Sequence, residues 1–358
     1  MPDRRHLLLI GGGHAHVEVL RQFGEAPLPG WRVTLLTREA HSPYSGMLPG
    51  VIAGLYRPAQ ALIDITALAA RCGVGLVLDR ATGIDPAARR VRRADGADLA
   101  WDLLSIDTGA TPDTSTPGAA EHALPLKPID ALLPRLQALA DGRSVAVVGG
   151  GAAGFEVALA LRRRAPVALV AGASGLLPGF PEALRQRAAR ALAQRGVTLV
   201  AGRNVAAVAP GALHFVDAPT LRAAALVWAT GAAAAPWLAE TGLSGTGLAR
   251  DARGFLVVDE CLRARPDIFA AGDVASFPGG LPKAGVFAVR QGPVLAANLR
   301  AVAAGQAPRP YVPQTDYLRL LSLGDGRALG TRNGLVFGGR WVWWLKDRID
   351  RRFIARYQ

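Results

Sequence analysis

The chain has 358 residues, half of them apolar and few aromatic, which suits a compact α/β protein of two domains with a short appendage. Its net charge of +13 is almost wholly arginine, since lysine occurs only at Lys127, Lys283 and Lys346; such a surface meets anions, but no nucleic-acid-binding module accompanies it. The two cysteines, Cys72 and Cys261, lie far apart with no C-x-x-C, which excludes a dithiol centre or zinc knuckle and suits a reducing cytosol.

The first residues read directly as a strand, with no charged-then-apolar leader pattern. Leu7-Leu8-Leu9-Ile10 is a strand buried on both faces, followed by the turn Gly11-Gly12-Gly13-His14-Ala15-His16 and a helical pattern. Strand, glycine turn and helix in that order form a dinucleotide-binding unit, in which free N–H groups at the positive end of the helix receive a pyrophosphate. His16 stands where the third glycine of G-x-G-x-x-G belongs. The next strand, Arg32–Leu36, ends at Thr37 rather than at a ribose-binding acid, and Arg38 and Glu39 follow. A Pro/Gly-punctuated loop, residues 41–50, has the character of a segment laid along a ligand.

Strands and a hairpin turning at Asp95-Gly96 are expected between Gly75 and Asp107. Leu103–Ile106 is a further buried strand, leading into Asp107-Thr108-Gly109. Residues 111–128, with four prolines, read as a crossover. At Ser144 the opening pattern repeats: Val145–Val148, then Gly149-Gly150-Gly151-Ala152-Ala153-Gly154, a complete G-x-G-x-x-G, then a helix containing Glu156. Strands at 167–170, 197–200 and 226–229 and a helix at 182–194 complete this unit, which closes on Thr230-Gly231. Strands at 254–259 and 268–274 follow, the latter including Gly272-Asp273. Leu281–Val286 then opens a helix with Pro282 in its first turn.

The paired glycine turns, Thr108-Gly109, Thr230-Gly231 and Ala271-Gly272-Asp273-Val274 occur in the order and spacing of the pyridine nucleotide-disulfide oxidoreductase superfamily, which the chain resembles over nearly its whole length. Within it the chain is similar to type II NADH:quinone oxidoreductases. Gly11–Val17, Tyr44–Gly50 and Trp343–Arg351 carry a further likeness to the flavoprotein module associated with selenide, water dikinase. The resemblance implies two Rossmann-like, glutathione-reductase-like domains, the second inserted in the first. Its boundaries would be 1–118 and 251–306 for FAD, 119–250 for NAD(P), and 307–358 for a C-terminal extension.

It also implies the ligands. Gly11, Gly13, His14 and Ala15 would hold the FAD pyrophosphate through their amides, with Arg38 or Glu39 at the adenosine. Ser45, Gly46, Pro49, Thr108, Gly109, Gly272 and Asp273 would border the same cofactor. Lys283, Ala284 and Gly285 would aim a helix N-terminus at the flavin. NADH or NADPH would lie on Gly149, Gly151, Ala152, Ala153, Gly154, Thr230 and Gly231. Glu156 would stand near the nicotinamide, with Lys283 and Glu156 as assistants to a flavin-centred reaction. Ala171 replaces the acid of an NADH-selective enzyme, and Val286 the first Gln of the quinone reductases' A-Q-x-A-x-x-Q-G run.

The small-molecule acceptor therefore stays open between a quinone and a selenium or sulfur species. Sulfide chemistry would need a cysteine pair beside the flavin. The histidines, at positions 6, 14, 16, 41, 122 and 214, are too scattered for a metal site. Residues 340–357 form a basic, aromatic, amphipathic helix, with Trp341, Leu345, Ile349, Phe353 and Tyr357 recurring every four residues. Such a helix suits a bilayer interface at the inner face of the cytoplasmic membrane, the body of its own protein, or a partner such as selenide, water dikinase or a second copy in a homodimer.

Overall fold

A computed structural model describes residues 4–127, 132, 134–136, 142–240 and 247–358. Two sheets dominate. The first has six strands, in spatial order β10-β11-β4-β1-β2-β3. These are β1 (Arg5–Ile10), β2 (Trp31–Thr37), β3 (Gly75–Leu78), β4 (Leu103–Ile106), β10 (Arg263–Arg265) and β11 (Ile268–Ala270). All pairings are parallel except that of β10 with β11. The second sheet, wholly parallel, is β5-β9-β6-β7-β8. Its strands are β5 (Leu124–Pro125), β6 (Val145–Val148), β7 (Val167–Ala171), β8 (Thr198–Ala201) and β9 (Ala225–Trp228). Because β10 and β11 return to the first sheet after the second is complete, the second unit is inserted in the first.

Buried aliphatic runs explain the strand order. Leu7, Leu8 and Leu9 on β1 are fully buried, as are Val147 on β6 and Leu169 on β7, because the sheets are covered on both faces. In the second unit Phe155 and Leu192 of helices pack with Val147 and Leu169, and Val208 and Leu213 of a small antiparallel sheet pack with Ala146 and Val148. Helix α1 (His14–Glu25) follows the first glycine turn and packs along α4 (Gly285–Ala303); Gly292 lies so close to Glu18 that a Cβ there would touch it. Helix α2 (Ala152–Leu161) follows the second turn, and α3 (Glu182–Gln194) lies on the same unit. The segment from residue 111 holds short pieces, Thr111–Pro112, Ala119–His122 and β5, rather than a plain crossover; its last residue, Pro128, lies outside the described residues.

Some boundaries differ from those the sequence suggests. Leu256–Val257 alone is strand within 254–259, and β11 stops at Ala270, where Gly272 takes φ +68° and a single 3₁₀ turn follows. Helix α4 starts at Gly285 after an extended Ala284, so Pro282 precedes its first turn.

The C-terminal residues form a three-stranded antiparallel sheet, β12 (Arg319–Ser322), β13 (Ala328–Arg332) and β14 (Leu335–Gly339), and then α5 (Arg340–Ala355). Helix α5 lies on its own protein. Val342, Ile354 and the following Tyr357 are buried, and Phe353 stacks on Tyr44 at 4.6 Å. Lys346 and Asp350, which a simple charge count assigns to solvent, form a buried pair at 2.6 Å instead. No helix among the described residues is long and apolar enough to cross a membrane.

Candidate functional site

The glycine turns at the ends of β1 and β6 share one backbone design. Gly11 and Gly149 take φ of +92° and +129°, which only glycine adopts without strain. Gly11 N–H donates to Leu36 O and Gly149 N–H to Val170 O, both at 2.8 Å. A Cβ on Gly11 would collide with the carbonyl of Asp107, and one on Gly149 with that of Ala229. Strand register makes these equivalent: Leu7 pairs with Leu103 as Val145 pairs with Ala225, so Asp107 matches Ala229 and Ser105 matches Val227.

The side chains differ. At the second turn Gly154 sits so close to the Gly149 carbonyl that no Cβ fits between them. At the first turn His16 stands in that place, and its Nδ1 meets Gly11 O at 2.7 Å while Nε2 meets Ser105 Oγ at 2.8 Å. Burial holds the His16 ring down at about 4, so it is neutral near pH 7. A carbonyl can only accept, so Nδ1 carries the proton and Nε2 accepts from the serine hydroxyl.

Asp107, 2% exposed, is the residue that sequence reasoning missed. Its Oδ2 accepts the amides of Ala15 at 2.9 Å and His16 at 3.1 Å, capping α1 from 91–92 residues away, while its main-chain carbonyl accepts from Gly13 N–H. Its carboxyl lies against both Gly13 and Gly272. Burial pushes the acid up to about 7, despite the two amide donors.

This changes the expected donors. Gly11, Gly13 and Ala15 do not offer free amides, because Leu36 and Asp107 already hold them. At the first turn the amides of Gly12 and His14 have no acceptor among the described residues; at the second, those of Gly151, Ala152, Ala153 and Gly154 have none. The hydroxyl of Thr108 and Nε2 of His14 are likewise buried without a partner. Unsatisfied donors at two glycine turns, with open space around Gly109, Gly151 and Gly231, fit dinucleotides at both.

The other candidates fall around these turns. Arg38 and Glu39 pair with each other beyond β2. Ser45 and Gly46 form a single 3₁₀ turn, and Pro49 is buried in the short helix Leu48–Ile52, which packs against α2 and so joins the two units. Ser45 Oγ lies 3.9 Å from where a Cβ on Gly285 would stand, at the start of α4. Gly272 N–H donates to Gln291 Oε1 at 2.7 Å, and Asp273 pairs at 3.2 Å with Lys127, at the end of the other sheet. Thr230 Oγ donates to Asp113 O at 2.9 Å, so this hydroxyl is already engaged. Lys283 does not face the turn: its ammonium donates to Ala275 O and lies 3.9 Å over Phe255.

Glu156 is half-buried, and its carboxylate accepts Ser322 N–H at 2.7 Å. Burial pushes it up to about 7, and Lys346 opposes that. Lys346 Nζ donates to Gly46 O and to Asp350, and the Tyr44 hydroxyl donates to Asp350 at 3.2 Å. His14 packs edge-on to Tyr44, and its centroid is 5.5 Å from that of Phe353. Cys72 packs against Gly24, and the Cys261 thiol lies 3.7 Å from Pro308 O; both are free and they are not a pair.

A chain with two such turns, one sheet inserted in the other, is a two-nucleotide oxidoreductase in architecture. The family model for pyridine nucleotide-disulphide oxidoreductases matches residues 5–295, and the chain belongs to that family. It is thus an FAD- and NAD(P)-dependent electron-transfer flavoprotein by class. The ferredoxin–NAD(+) reductase component of the p-cumate 2,3-dioxygenase system of Pseudomonas putida is 32% identical over 293 residues, 78% of this chain and 69% of that one. An NADH dehydrogenase-like protein of Mycobacterium tuberculosis is 34% identical over 229 residues, 57% of this chain; the match spans only 56% of that relative. Two solved structures share the fold. NDH2 of Plasmodium falciparum in complex with NADH has a TM-score of 0.83 at 14% identity, covering 99% of this chain and 98% of that one. The sulfide:quinone oxidoreductase of Aquifex aeolicus has 0.79 at 18%, covering 99% and 91%.

Proposed function

We propose that the chain takes electrons from NADH or NADPH at its second glycine turn, through FAD at its first, and delivers them to a quinone-like, lipid-soluble acceptor. The observation that carries this reading is the pair of turns with unsatisfied amides, joined by the helix Leu48–Ile52. Bound at the first turn, FAD would supply a two-electron acceptor for nicotinamide hydride and a donor to the next carrier.

The protein's own part is binding and electrostatics. Gly12 and His14 amides and the Thr108 hydroxyl would hold FAD, with Asp273 and the 45–49 segment beside it. The 19-residue α4 would present its positive end, at Ala284 and Gly285, toward negative charge on that cofactor. The amides of Gly151 to Gly154 would hold the nicotinamide nucleotide. Ala171 ends β7, so this strand offers no acid to the ribose of the nicotinamide nucleotide and nothing there turns away a 2′-phosphate.

The outward face of α5 supports a lipid-soluble acceptor. Trp341 and Trp344 are 57% and 62% exposed, Arg348 lies 5.8 Å over Trp344, and neighbouring Leu335 is 71% exposed. Aromatic and basic residues on one helix face suit a membrane interface. A second reading, an acidic ferredoxin-like protein as acceptor, is favoured by the +13 charge and the ferredoxin reductase relative. Paired-cysteine sulfide oxidation finds no support in the placement of Cys72 and Cys261.

Anaerobic mixing of the purified flavoprotein with NADH and then NADPH tests the reading. Bleaching of the flavin's visible absorption by both is expected, followed by recovery of colour with a soluble quinone. Recovery only with an acidic iron–sulfur protein would select the second reading. A flavin that neither nucleotide bleaches would leave a partner-dependent module, and co-purification with selenide, water dikinase would then identify its partner.

A further inference from the structure

We infer that FAD binding to the first glycine turn is coupled to uptake of a proton by Asp107, whose carboxyl sits on helix amides that a pyrophosphate would otherwise approach. The inference rests on the reading that FAD occupies this turn. Three observations support it. Asp107 bonds the amides of Ala15 and His16, at the positive end of α1. Its carboxyl lies against Gly13, at the first turn, and against Gly272, in the turn after β11. At the equivalent position the second turn has Ala229, which leaves its amides free.

A pyrophosphate diester brings two negative charges that do not titrate near neutral pH. Beside an ionised Asp107 they would meet a third, in a site 2% exposed and therefore weakly screened. Loss of that charge by protonation lets the carboxyl keep a lone pair on the amides and donate an O–H to a phosphate oxygen. The groups facing Asp107 do not supply the proton. His14 and His16, on α1, are held by burial down at about 4 and are uncharged from pH 6 to 9. Asp273, in the turn after β11, adds repulsion, and Lys127, after β5, opposes it; these are the charges acting on Asp107 among the described residues. With Asp107 itself pushed up to about 7, the coupling falls within the working range of pH.

The sign follows from linkage: the FAD-bound state holds more protons, so affinity falls as pH rises above about 7. Purified holoprotein is diluted at constant ionic strength between pH 6 and 9, and released FAD is read by its fluorescence. The apparent dissociation constant is expected to rise about tenfold from pH 7 to pH 8.5 in the parent chain. Asp107→Asn and Asp107→Ala, the latter copying the second turn, should show a flat profile and retain FAD more tightly at pH 8.5. Lys127→Gln should move the midpoint to higher pH. A flat profile in the parent chain, or an unchanged slope in either Asp107 variant, overturns the inference while leaving FAD binding intact. A chain that binds no flavin at any pH overturns the FAD assignment as well.

Discussion

The two glycine turns reach one backbone geometry by different means. The second uses glycine where helix meets turn, so nothing but the Gly149 carbonyl fills the gap and a row of amides stays free. The first fills the gap with His16, ties it to Ser105 and caps the helix with Asp107, so most of its amides are engaged. One turn is open and generic; the other is wired to a particular charge state. Substitutions at these three positions are therefore coupled within a turn and do not transfer singly between turns. The same contrast extends to Glu18 and Glu156, which occupy matching places on α1 and α2. Each holds a piece of the C-terminal extension: Glu18 accepts from the Tyr357 hydroxyl at 2.9 Å, and Glu156 from the Ser322 amide.

The comparison breaks most visibly at Gly154. Gly154→His would give the second turn the first turn's residue without its serine or aspartate, and its Cβ would strike the Gly149 carbonyl. Flavin reduction by NAD(P)H should slow by on the order of a hundredfold or more while FAD is retained, read by anaerobic stopped flow. Lys346→Met removes the cation between Asp350 and Glu156 and should cost about 3–5 kcal/mol in urea unfolding. Tyr357→Phe, the milder change at Glu18, should cost about 1–2 kcal/mol. His16→Gly leaves Ser105 and the Gly11 carbonyl unpaired and should cost about 1–3 kcal/mol; adding Ser105→Val and Asp107→Ala should recover part of it.

The smallest effect separates the glutamates by sign. Burial would raise Glu18, but hydrogen bonds from Arg21, Gln22 and Tyr357 hold it below its ordinary 4.5. Its contribution to stability is present above pH 4.5 and is lost as pH falls. Glu156, raised to about 7, stabilises below pH 4.5 and loses that contribution as pH climbs to about 7. Chemical denaturation from pH 4 to 8 should show Glu156→Gln flattening the fall by roughly 1 kcal/mol per pH unit at most, and Glu18→Gln flattening the acid limb.

Strand–turn–helix order made both nucleotide units legible, because buried aliphatic runs and glycine turns are local signals. His16 was visible as a missing glycine, but its role as acceptor of the Ser105 hydroxyl was not, since Ser105 lies 89 residues away. Asp107 was hidden for the same reason: a cap supplied by a distant strand end has no local signature. Lys283 was legible as a lysine at a helix entrance, but its contacts with Phe255 and Ala275 were not, since neither is adjacent in the sequence. On α5 the stripe drawn through Trp341, Leu345, Ile349, Phe353 and Tyr357 is only partly the inner face. Trp341 and Ile349 are exposed, and the buried line runs through Val342, Lys346, Asp350 and Ile354, where Gly46 and Tyr44 satisfy the buried ion pair.

The extension that Glu18 and Glu156 grip has a mechanical consequence. One strap bonded to both nucleotide-binding helices, with Tyr357 1% exposed at its far end, opposes any hinge swing of one unit against the other.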